Sequence, residues 1–152
     1  MVQTEKTRVL AQQIIYLVSA HTAIFVLYNY AHAKIDQLYL LTEYTPILLI
    51  FCLAPLAASL FLFMQSARQG AVVLLGMLPA ELIYNIVTRF TPLVPYSVQE
   101  PALIWKILYE GSFGIVLVLE VITVWLTFKL LREIHKKLNS TSENPSYPKL
   151  FQ

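Results

Sequence analysis

Three ionisable residues, His21, Glu81 and Glu120, each lie near the middle of a different long apolar stretch of this chain. Such groups are costly in an apolar medium unless paired, solvated or neutralised, so they normally point into the interior of a helical bundle. One imidazole and two carboxylates are the side chains of acid–base and ion-binding chemistry. Depth counted at about 1.5 Å per residue from the bracketing charges places all three within roughly 6–8 Å of one height. One buried polar centre is therefore expected.

Other polar residues extend the centre towards one end. Asn85 follows Glu81 by one turn on the same helical face, with Arg89 a turn further on. Glu110 falls one turn inside the outer end of the fourth stretch, beside Gly111 and Gly114, which permit close helix approach. His21, Tyr28 and His32 make a single stripe on the first stretch. The expected ligand- or proton-binding set is thus His21, Glu81, Asn85, Glu110 and Glu120, at the foot of a wet crevice opening outward. Nothing in the pattern assigns a catalytic residue or a cofactor, and it does not decide whether the protein is an enzyme.

Each residue also has a plainer reading. A membrane histidine often makes one interhelical hydrogen bond, and a buried glutamate can sit protonated against a carbonyl or a tyrosine. Glu110 can pair with Lys106 in the headgroup region. None of these readings accounts for three ionisable groups at one level. Metal chemistry has no signature in the spacing. His21 and His32 share one stretch, which does not suit haem ligation across a bundle, and the repeated Glu-x-x-His pairs of carboxylate-bridged sites are absent. No metal is expected on these grounds.

The elements that must position these groups are helices in lipid. Of the 152 residues 57% are hydrophobic and 13% charged, against about 25% charged in a soluble domain. Four apolar stretches, about 9–33, 46–64, 71–88 and 107–128, approach or exceed the roughly 20 residues that cross a hydrocarbon core. The fold class is therefore all-α, an integral membrane four-helix bundle occupying residues 1–138. Residues 139–152, rich in Ser, Asn and Pro, read as a disordered polar tail. The short connection at 66–70 makes the second and third helices a hairpin, and three prolines make 91–101 an extended crossing. Pro55 predicts a kink in the second helix.

Basic residues set the orientation. Lys6, Arg8, Arg68, Lys129, Arg132, Lys136, Lys137 and Lys149 collect on one side, and Lys34, Arg89 and Lys106 on the other, so both termini should be cytoplasmic. The start of the chain imitates a signal peptide ending at Ala31-His32-Ala33. Its apolar run is longer than the usual 7–15 residues or so and carries Gln12, Gln13 and His21, so it is read as a retained span. A net charge of +2 without a basic patch argues against nucleic acid as a partner. Cys52 is the only cysteine, which excludes an internal disulfide.

The stretch Ile83 to Pro95, with Tyr84, Thr88, Thr91 and its prolines, resembles the third-helix region of the four-helix sterol-isomerase-like (EXPERA) family. The resemblance implies a lipophilic-ligand pocket and cytoplasmic termini. That family carries an acidic residue in its second span and a long first loop. Here the second span has no acid and 34–45 is short.

Small size, the lack of a soluble domain and the small-xxx-small pair Ala54 and Ala58 suit an accessory or assembly subunit of a membrane complex. That is the first functional expectation. The alternative is a binder, isomerase-like enzyme or proton-coupled transporter of a small lipophilic or cationic ligand, working through the His/Glu/Glu cluster. The expected partners are the bilayer, other membrane subunits or a second copy of the chain, and a small lipophilic ligand.

Overall fold

The computed structural model describes the backbone of residues 5–36, 45–64, 67–90 and 102–142, and the side chains of 5–35, 49–64, 67–87 and 102–139. It is all-α, with four helices: α1 (Glu5–Asp36), α2 (Thr45–Phe61), α3 (Ala67–Phe90) and α4 (Leu103–Ser142). Among the described residues α1, α3 and α4 are long and apolar enough to cross a membrane, whereas the second expected span, 46–64, shows only a shorter apolar helix over Leu49–Phe61. The expected crossing at 91–101 and the tail from 143 lie outside the described residues.

α1, α3 and α4 each begin four residues before the expected spans, at Glu5, Ala67 and Leu103, and helix ends differ as well. α2 ends at Phe61, before the anticipated residue 64. Its chain then tightens into successive i to i−3 bonds, from the amides of Leu62, Phe63 and Met64 to the carbonyls of Ser59, Leu60 and Phe61. Such bonds satisfy carbonyls that a helix end leaves without partners. α4 runs on through Ser142, into the stretch read as tail. Its polar final turns carry no apolar stripe, so periodicity gave no sign of them.

α1 packs on α2 and α4, and α3 packs on the same two, so the helices form a ring in chain order. The antiparallel α1–α4 pair is its spine. Contacts run from Lys6 with Glu133 at one end, through His21 with Glu120, to Tyr28 with Tyr109 and Tyr30 with Trp105 at the other. α2 and α3 form the expected hairpin. There a Cβ on Gly70 would fall 2.6 Å from the Ala58 carbonyl oxygen and 2.9 Å from Phe61 Cβ, so only glycine permits this crossing. Ala58 thus serves packing within the chain. Gly111 and Gly114, by contrast, have nothing within 4 Å of such a Cβ among the described residues.

The interior has two apolar layers. One, nearest the termini, gathers Leu10, Ile14 and Val18 of α1, Ala58 of α2 and Leu62 in the turn after it, Leu74 and Leu78 of α3, and Leu126 and Leu130 of α4. The other is largely aromatic: Phe25 and Tyr28 pack with Phe51, Tyr109, Phe113 and Val116. Buried hydroxyls do not disturb them. Ser59, Ser112, Thr123 and Thr127 each donate to a carbonyl one turn back on their own helix. Prolines interrupt two helices, Pro55 in α2 and Pro79 in α3. Each lacks the amide that would bond four residues back, which leaves the Phe51 and Leu75 carbonyls without that partner.

Candidate functional site

Between the two apolar layers lies a polar one, and the helical repeat explains its composition. On α1, Val18, His21, Phe25 and Tyr28 are all buried and follow one another by three or four residues. Leu78, Glu81 and Asn85 do the same on α3, and Val116, Glu120 and Thr123 on α4. Each polar residue holds a slot in a stripe whose other slots are core. The fold therefore turns it inward by the same rule that buries its neighbours.

His21 Nε2 is the hub. It lies 3.3 Å from Glu120 Oε1 and 3.4 Å from Glu81 Oε1. Asn85 Nδ2 donates to the same Glu120 oxygen at 3.4 Å. All four residues are at most 1% exposed. The site is nevertheless incomplete: His21 Nδ1, both oxygens of Glu81 and Glu120 Oε2 have no hydrogen-bond partner among the described residues. Charge-assisted hydrogen bonds close to about 2.7–2.9 Å. These groups converge without closing on one another.

Neutrality gives the same answer. Two ionised carboxylates and a neutral imidazole carry two negative charges in a space sealed from water, which is untenable without compensation. Two positive charges balance them, either as two protons or as one divalent cation. One ligand atom from each of the three residues lies within 4.8 Å of the others, a grouping of the kind that could hold a metal ion.

Aromatic rings seal the site on one side. Phe25 stacks on the His21 ring at 5.8 Å, and Phe51 meets Phe25 edge-on at 6.3 Å. Above them Tyr28 and Tyr109 stack at 4.9 Å, with His32 against Tyr109 at 5.2 Å. The open wet crevice expected there is filled by these rings. The stripe His21, Tyr28, His32 exists as expected, but Tyr109 and Phe113 of α4 pack against it.

Four of the five expected residues thus come together: His21, Glu81, Asn85 and Glu120. Glu110 does not belong with them. Ten residues separate it from Glu120, about 2.8 turns, so it points some 80° round α4 and is exposed. The side chain of Arg89 lies outside the described residues. Sequence reasoning overlooked Phe25, the ring directly on His21, and Pro79, two residues before Glu81. An apolar ring one turn from a buried histidine and a proline beside a buried glutamate were the available signals.

No protein-family model, curated protein or solved structure matches the chain. The partial likeness of 83–95 to the EXPERA family thus finds no support, and the site must be interpreted from its own chemistry.

Proposed function

We propose that the protein is an integral membrane four-helix bundle that binds a small cation at the buried cluster of His21, Glu81 and Glu120, with Asn85 orienting Glu120. The observation that carries this reading is Glu81: 0% exposed, facing His21, and with neither oxygen hydrogen-bonded among the described residues. A carboxylate kept only for packing is expected to have found a donor, because leaving a buried polar group unsatisfied costs about 1–3 kcal/mol. A carboxylate kept for an exchangeable cation has a reason to lack one. Pro79, two residues away, supplies a break in α3 about which the site can open and close.

The membrane assignment rests on more than apolar length. Trp105 and Trp125 stand twenty residues apart on α4, which at 1.5 Å per residue is about 30 Å, the thickness of a hydrocarbon core. A lysine attends the aromatic side chains at each end, Lys34 5.4 Å from the Tyr30 ring centroid and Lys129 5.0 Å from that of Trp125. These are the groups that favour membrane interfaces. The basic excess near the termini makes that side cytoplasmic.

Infrared difference spectroscopy of the purified protein between acidic and alkaline buffer tests the reading. A carboxyl stretch that appears with acid, and is lost in Glu81→Gln or Glu120→Gln, supports it. No pH-dependent buried carboxyl signal, with both amide variants behaving as wild type, counts against it.

The subunit reading is favoured by a separate observation. Among the described residues nothing lies within 4 Å of a Cβ on Gly111 or Gly114, as at positions that take a helix from another chain. Mass measurement in mild detergent tests it. A co-purifying chain supports the subunit role, and a monodisperse species of this chain alone opposes it.

A further inference from the structure

We infer that the cation is a divalent transition metal ion, held by His21 Nε2, Glu81 and Glu120 with one coordination position left open. This rests on the cluster being a cation site and names what it takes. The two separations from His21 suit one ion, and the three donor atoms all lie within 4.8 Å of one another. Two protons shared among three groups would draw them to hydrogen-bond length, about 2.7–2.9 Å. Ligands of one tetrahedral ion keep farther apart. With metal–nitrogen and metal–oxygen bonds of about 2.0–2.1 Å, the tetrahedral edge is about 3.3–3.4 Å. His21 Nε2 stands 3.3 Å from Glu120 Oε1 and 3.4 Å from Glu81 Oε1.

The donor set narrows the ion. Calcium and magnesium favour all-oxygen shells, whereas imidazole with carboxylate suits zinc, iron and manganese, and the lack of thiolate disfavours copper(I). Two glutamates and a neutral histidine cancel a double positive charge, so the loaded site is neutral and suits an apolar interior. Free Glu81 Oε2 and Glu120 Oε2 allow either carboxylate to shift between one and two bonds. Asn85 Nδ2, on Glu120 Oε1, is the outer partner that fixes a ligating carboxylate. Phe25, stacked on the imidazole, holds its plane. Three protein ligands form the open kind of site, which exchanges or activates a fourth ligand, whereas closed four-ligand sites are structural. No spacing motif announces it because the ligands come from three different helices.

Elemental analysis of the full-length protein, purified in mild detergent without chelator, tests the assignment. It is paired with optical spectroscopy after exchange into Co²⁺. Wild type is expected to hold about one Zn²⁺, Fe²⁺ or Mn²⁺ per chain and, with Co²⁺, to show the intense visible bands of a low-symmetry four-coordinate ion. Metal content should fall at least about tenfold in Glu81→Gln and Glu120→Gln, and Asn85→Ala should weaken binding about 10- to 100-fold. Glu110→Gln, outside the site, should match wild type. Wild type lacking metal and giving no Co²⁺ bands overturns the assignment, with no variant needing to fold. Metal retained in full by His21→Ala also overturns it, as adventitious binding. If metal fails while the pH-dependent carboxyl signal persists, the cluster is a proton site and only the metal is lost. If both fail, the cation site falls with it.

Discussion

Glu133 and Glu81 show what surroundings do to one side chain. Glu133 takes a 3.0 Å contact from Lys6 at the open end of the α1–α4 pair, and the hydrogen bond from Lys6 holds its carboxyl below the usual carboxylate range. A group whose value is depressed on folding adds stability that is present above its unfolded value, near 4.3, and is lost as pH falls through the folded one. Lys6→Ala should therefore lower the melting temperature slightly at neutral pH. The gap should shrink towards zero in acid, as thermal scans across that window will show. Glu81 faces His21 instead of a lysine. Its identity as a site residue was legible because an ionisable group in an apolar run needs an explanation. Its partners were less so: depth counting gave the common level, and only the helix packing shows that His21 faces both carboxylates. Glu110 misled because its depth suited an access route while its angle round α4 did not.

Elements were the more legible scale. Hydrophobic runs predict four helices and a hairpin, and these are found because each run must bury a stripe. What could not be read was which small residues make crossings. Ala58 marked a contact but not its partner, and Gly70 drew no attention because it sits among polar residues at the start of α3. Gly70→Ala should destabilise the α2–α3 hairpin by about 1–3 kcal/mol, since the added carbon meets backbone. Gly76→Ala, where nothing lies within 4 Å, should be neutral or stabilising by up to about 1 kcal/mol. Thermal unfolding in one detergent ranks the pair, and equal effects would mean that the Ala58–Gly70 crossing is wrong.

The whole molecule is a short ring of four helices with its polar layer sealed between an aliphatic and an aromatic core. Orientation belongs to this scale, since it follows from charge summed over the chain. In a Cys52→Ala background, Arg68→Cys should be labelled by an impermeant thiol reagent only from the cytoplasmic side, and Lys106→Cys only from the other. The reverse pattern inverts the topology without touching the site. The central claim is that His21, Glu81 and Glu120 act as one buried unit. Nitrogen-15 NMR of histidine-labelled protein tests it most directly, with the exposed His135 as internal reference. The ring signals of His21 should shift in both Glu81→Gln and Glu120→Gln while those of His135 stay fixed. A His21 ring whose signals ignore both substitutions would contradict the claim.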